Sequence, residues 1–179
     1  APDSTNENWG GDPDGVNNIV WMAPEQWEVT EVPENVLAAT RVRYNAITGE
    51  MIDVDIAFNC VPHSITLNLD FEWSVNGLLD EGKLDVQNTA AHEITHFTGL
   101  ADLYNPGDNA YTFDKGMGAY NEDQTAYGRI NINEIKKRSL YDDGSNPNLK
   151  GDIAGIRAIY QAVENSLLDL VLVFDGSNS

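Results

Sequence analysis

Basic residues are scarce in this chain: 10 Lys and Arg stand against 29 Asp and Glu in 179 residues, a formal net charge of −19. A nucleic-acid binder needs a basic footprint, and an anionic membrane surface repels such a chain, so neither is expected as a partner. Cysteine is almost absent. Cys60 stands alone, which excludes an internal disulfide and a Cys-rich zinc site. No apolar run reaches the roughly 18 residues of a membrane helix; the longest candidate, Leu167 to Phe174, is broken by Asp169. Membrane insertion is therefore not expected. The N-terminal Ala1-Pro2-Asp3-Ser4 has no basic flank and no apolar signal core, and reads as a processed start or a cloning boundary. The acid excess means solubility and self-repulsion. A second reading is adaptation to high salt, where screening removes the repulsion.

What remains is enough for one ordinary domain, and 41 % hydrophobic residues exclude general disorder. Residues 1–15, rich in Gly, Asp, Asn and Pro, read as a flexible N-terminal segment. Asn17 to Met22 predicts a short strand, and Val36 to Tyr44 another, with Val42 and Tyr44 on one face and Arg41 and Arg43 on the other. Met51 to Phe58 alternates Ile52, Val54, Ile56 and Phe58 with Asp53 and Asp55, the period of a half-buried strand. The turn at Thr48-Gly49 joins these last two as a hairpin. Residues 60–84 are less regular. From Asp85 the period becomes helical, with Val86, Ala90, Ile94 and Phe97 on one stripe and Gly99 at the C-terminus. Residues 100–150 read as loop. A second helix is expected from Gly151 to Glu164, with Ile153, Ile156, Ile159 and Tyr160 inward and Asp152 at its dipole-favoured start. Residues 165–179 form a tail in which Leu168 to Phe174 is a candidate closing strand.

Chemistry concentrates in His92-Glu93-Ile94-Thr95-His96. Residues four apart share a helix face, so both imidazoles can meet one metal ion while Glu93 lies beside the open coordination position. This is the constellation of metal-assisted hydrolysis: zinc acidifies its water and polarises a carbonyl, and a carboxylate takes the proton. The alternative is a pair of surface histidines on an ordinary helix. Gly99 then permits a sharp turn, after which Asp102 can return to the same metal; taken by itself, Asp102 is equally a solvated loop acid, and Asp108 and Asp114 are the nearby substitutes.

The run His-Glu-x-x-His-x-x-Gly-x-x-Asp resembles the metzincin metallopeptidases, in the branch whose third ligand is Asp, as in the snapalysins. Residues 48–59, 84–93, 136–140 and 151–156 resemble segments of bacterial and archaeal matrixin-type proteins, and the likeness spans about residues 16–162. The resemblance implies an α+β fold: a twisted mixed sheet on an active-site helix near 85–98, with an irregular lower part and one C-terminal helix. The catalytic domain would be residues 16–164. It also implies a zinc-dependent endopeptidase with His92, His96 and Asp102 on one zinc ion and Glu93 as general base, then acid. Its partner would be a protein or peptide substrate lying along an edge strand at about Met51 to Phe58, and its location extracellular or at the cell surface. The rival reading is an inactive relative that serves as a binding protein.

The sequence departs from the family pattern in three places. Ala126, in Thr125-Ala126-Tyr127-Gly128, stands where the methionine turn has Met, with Met117 as a rival assignment. Thr95 stands where many relatives have Gly. A strand and a long helix normally precede the segment near Val16, and residues 1–15 are too few to supply them; a fragment, a processed form, or closure by residues 167–174 is expected. Tyr127 either bonds near the zinc or substrate or packs in the loop core. His63, with no histidine cluster around it, reads as a solvent-facing or hydrogen-bonded side chain and not a second zinc site, and Cys60 as a plain buried cysteine and not a zinc-blocking thiol. The acid-rich stretches 102–123 and 142–144 offer oxygen ligands for calcium, but none has EF-hand spacing, so they read as solvated acids.

Overall fold

The computed structural model describes residue 9 and residues 12–30, 32–64, 69–76, 82–103, 122–141 and 151–160. Its strands are β1 (Ile19–Met22), β2 (Ala38–Tyr44), β3 (Met51–Asn59), β4 (His63–Ser64), β5 (Leu69–Asp70), β6 (Trp73–Ser74) and β7 (Leu84–Asp85). Its helices are α1 (Pro24–Glu28), α2 (Val86–Phe97) and α3 (Asp152–Tyr160). The main sheet is mixed, in the order β1-β3-β2, with β1 parallel and β2 antiparallel to β3. This is an α+β arrangement. The hairpin and the two longer helices lie where the sequence places them, and the described residues 122–141 before α3 contain no α-helix or strand of their own. The expected closing strand at 168–174 and the end of the second helix fall outside the described residues. No helix among the described residues is long and apolar enough to cross a membrane.

Alternation along β3 builds a core on both faces of the sheet. On one face Ile56 and Phe58 join Ala38 and the helix residues Ala90 and Ile94, with Trp21 and Trp73 against them. Phe58 and Trp73 meet edge to face at 5.7 Å, and Trp21 meets Trp73 at 5.4 Å, geometries that aromatic quadrupoles favour. On the other face Ala57 packs with Val20, Met22 and Trp27, covered by Trp9 and Val36.

Trp27 comes from α1, a helix the period did not reveal. Its signals are short-range: Pro24 at the first turn, and Gln26 Oε1 accepting from the Ala23 N–H at 2.9 Å.

Four sequence expectations need correction. Asp53 and Asp55 are 4 % exposed, not solvent-facing. The segment before β1 folds over them, with the Gly15 and Asn18 N–H groups donating to Asp53 and Asp55, each at 3.1 Å. Arg43 and Arg41 are their register partners on β2, so opposite charges share that face. Of the described residues before Val16, Gly15 is bonded to Asp53 and Trp9 packs against the second core cluster. Ile52, expected inward, is exposed at the open end of β3, and Ile159 and Tyr160 are exposed on α3. The strand proposed as substrate edge, Met51 to Phe58, is the centre of the sheet: its backbone pairs with β1 on one side and β2 on the other. Among the described residues, β2 pairs on one side only.

Helix α2 is fixed at both ends. Asp85 caps its N-terminus by accepting from the Asn88 N–H at 2.8 Å, and Arg138 grips the same carboxylate through Nε at 2.9 Å and through Nη2. At the other end the Gly99 N–H donates to His96 O and the Leu100 N–H to Thr95 O, closing a Schellman turn with Gly99 at φ 90°. α3 packs against this turn at Gly155, where a Cβ would sit 2.7 Å from the tip of the Leu100 side chain, which would have to turn aside. Gly99→Ala has space but the wrong backbone region for an L residue. It should cost about 1–2 kcal/mol, read as a lower denaturant midpoint at unchanged m. An unchanged midpoint would show that Gly99 need not be left-handed.

Candidate metal centre

Three helical residues, His92, Glu93 and His96, and the turn after them make the site. His92 and His96 lie one turn apart on α2, and the Schellman turn brings Asp102 back over them. The three ligand atoms form a nearly equilateral triangle. His92 Nε2 and His96 Nε2 are 3.3 Å apart, and Asp102 Oδ1 is 3.2 Å from the first and 3.3 Å from the second. Among the described residues this is the group of three whose ligand atoms converge, all within 4.8 Å.

Both rings are oriented from behind. His92 Nδ1 lies 2.8 Å from Thr125 O and His96 Nδ1 lies 2.8 Å from Leu100 O. A carbonyl oxygen only accepts, so each Nδ1 carries its hydrogen and each neutral ring turns the Nε2 lone pair to the centre. Three electron-rich atoms thus face one point. A tetrahedral zinc with bonds of about 2.0–2.1 Å spaces its ligand atoms by about 3.3–3.4 Å. The observed triangle has that spacing, and two imidazoles with one carboxylate are a set zinc accepts, so the residues present fit the ion.

Without a metal, a proton serves instead. Burial works to lower the His96 value, but the Asp102 carboxylate and the Leu100 carbonyl outweigh it and raise the imidazole from 6.5 to about 9. Burial likewise works to raise Asp102, and the two imidazoles outweigh it, holding the carboxyl well below the usual carboxylate range.

The segment 124–128 lies directly beneath. Its Thr125 carbonyl holds His92, while the Leu103 N–H donates to Ala126 O at 2.9 Å and the Gly128 N–H to Leu103 O at 3.0 Å, so the residue after Asp102 is clamped to the same turn. Asp152, at the start of α3 and buried, holds that turn: its carboxylate accepts from the N–H groups of Thr125 at 2.9 Å, Ala126 at 3.0 Å and Tyr141 at 2.7 Å. Ala126 and Tyr127 are buried and do not line the cleft. Tyr127 packs in the loop core with Lys137 Nζ 4.9 Å from its ring centre. Their part in the site is played by their backbone.

Glu93 is 3 % exposed, and Thr40 Oγ1 on β2 donates to its Oε2 at 2.7 Å. Above these residues runs a cleft of about 1270 Å³, lined by β2, the ligand helix, residues 99–102 and residues 128–130. It exceeds the roughly 300–1,000 Å³ of small-molecule pockets.

The structure brings together His92, His96 and Asp102, which the sequence singles out with Glu93, and adds Thr40, Thr125 and Leu100, which it does not. The last two act through carbonyls, which leave no mark in a sequence. Asp152 was read only as an acid suited to a helix start. Asp108, Asp114, Met117 and most of the acid-rich stretches lie outside the described residues. Cys60 is a half-buried free thiol that burial pushes up. No protein-family model, no curated protein and no solved structure matches the chain.

Two outcomes follow from this geometry. Asp152→Asn replaces an all-acceptor group with one that turns N–H toward N–H. It should cost about 3 kcal/mol and lower metal affinity about 10–100-fold; calorimetry and metal titration check both, and unchanged affinity would sever α3 from the site. In chelated protein, the His96 value is raised above 6.5, so its stabilisation is complete below 6.5 and lost as pH rises through about 9. Asp102, lowered from 3.8, contributes above that value and loses its contribution as pH falls below it. The melting temperature of the chelated chain should therefore drop between pH 7 and 10, with an NMR midpoint for His96 near 9; a midpoint at its ordinary value would contradict the proton-sharing arrangement.

Proposed function

We propose that this chain is a zinc-dependent endopeptidase of metzincin type, acting on extended segments of proteins. The observation that carries the reading is the triangle of His92, His96 and Asp102 with the carboxyl-bearing Glu93 beside it, lining a cleft of about 1270 Å³. Zinc bound there supplies a Lewis acid and a water acidified toward neutral pH. The protein's own residues do the rest. Thr125 O and Leu100 O fix the ring orientations of the two histidines, so no reorganisation is needed on binding. Glu93 receives the proton of the attacking water on its carboxylate and returns it to the departing amine nitrogen as the peptide C–N bond breaks. The edge of β2, Ala38–Tyr44, that pairs with no strand among the described residues offers backbone donors and acceptors to an extended peptide, which adds to the sheet as one more strand. The resemblance carries with it an extracellular or cell-surface location.

The test is metal analysis joined to cleavage of an unfolded protein such as casein. About one zinc per chain is expected, with activity lost on chelation and restored on zinc addition. Glu93→Ala should keep its zinc and lose about 10²–10⁴-fold in rate. Asp102→Ala should lose zinc affinity sharply, whereas Asp102→His should retain it. Failure of the parent chain to bind zinc would overturn the reading. Zinc bound by a chain that cleaves nothing would favour a metzincin-like binding protein instead.

A further inference from the structure

We propose that Thr40 is the positioning residue of Glu93: its hydroxyl tethers one carboxylate oxygen to the cleft-edge strand and leaves the other open to the cleft. The inference rests on the reading of Glu93 as the general base. A glutamate side chain has three torsions to order, and ordering them costs free energy on each productive encounter. Thr40 removes that freedom in advance. It is β-branched and sits in a strand, so its own χ1 is restricted. Its backbone position is set by the core, because its register partner Ile56 packs with Ala90 and Ile94, which flank Glu93 on the helix.

The hydroxyl oxygen lies 2.7 Å from Glu93 Oε2 and 3.1 Å from the Glu93 carbonyl. It has one hydrogen to give, and the charged oxygen at the shorter distance is the stronger acceptor. Oε1 accepts no hydrogen bond from the described residues, and Glu93 lines the cleft. One oxygen is thus an anchor and the other a proton acceptor. The same strand that would receive the peptide backbone therefore also sets the aim of the base, so substrate register and base position share one element.

Three variants test this in the zinc-loaded protein: Thr40→Val, which keeps the shape and removes the hydroxyl; Thr40→Ser, which restores it; and Thr40→Ala, for the case in which valine disturbs β2. Thr40→Val and Thr40→Ala should lower kcat about 10–100-fold, with KM and zinc content within about twofold of the parent, and Thr40→Ser should recover most of the loss. A second readout needs no activity: in chelated protein, Thr40→Val and Glu93→Ala should be non-additive in denaturant midpoint, as contacting residues are. An unchanged kcat in Thr40→Val, a Thr40→Ser no better than Thr40→Val, or an additive cycle overturns the positioning role. If Glu93→Ala abolishes cleavage while Thr40→Val is indifferent, only the positioning role fails. If the zinc-loaded parent cleaves nothing, the general-base reading fails instead.

Discussion

Three lone-pair-bearing atoms held about 3.3 Å apart repel one another unless a positive charge sits among them, and the rest of the fold is arranged to hold them there. The repulsion is not relieved by letting the side chains swing away, because each is fastened from behind: His92 by the Thr125 carbonyl, His96 by the Leu100 carbonyl, Asp102 through its neighbour Leu103. These fastenings are in turn held by Asp152 below and by the Schellman turn above. The free energy of packing two helices, a sheet and an irregular segment is thereby spent in part on a local arrangement that only a cation satisfies. A proton serves, which is why His96 is raised and Asp102 lowered together; a divalent ion would meet all three atoms at once.

The long elements were legible in the sequence because their burial is one-sided and periodic. Helix α2 shows its stripe, and β3 shows its alternation. The alternation misled in one respect. Asp53 and Asp55 carry the polar phase of a strand with one wet face, yet both faces are covered, and the acids are made tolerable by backbone N–H groups from Gly15 and Asn18 and by the arginines opposite. Period two reports chemical contrast between faces, and contrast is not exposure. The order of strands was also beyond the sequence. Nothing in Met51–Asn59 distinguishes a central strand from an edge strand once both of its faces read as mixed, so the sequence suggests an edge where the structure pairs β3 on both sides.

The candidate metal site was legible to the extent that its parts are side chains at short spacing. His92, Glu93 and His96 share one helix, and Asp102 follows a glycine whose left-handed backbone dictates the return of the chain. Thr40 was not legible, because it meets Glu93 from 53 residues away through tertiary packing alone. Asp152 was visible as a residue but not as a support, since its partners are three backbone N–H groups with no sequence signature.

Ala126 supports the site through its backbone. The sequence reading expects a methionine-turn position here, where a methyl group would leave a weaker floor than methionine. The segment loses little by it. The Ala126 N–H goes to Asp152 and its carbonyl to Leu103, the preceding carbonyl holds His92, and the residue is 1 % exposed. Each of these bonds is made by the main chain and survives any change of side chain that keeps the turn. What a larger side chain could add is packing volume, and volume in a site this closely covered brings overpacking strain as readily as contact. The rigidity beneath the histidines is therefore set by the carboxylate of Asp152, and the side chain at 126 is left with no more to do than fit.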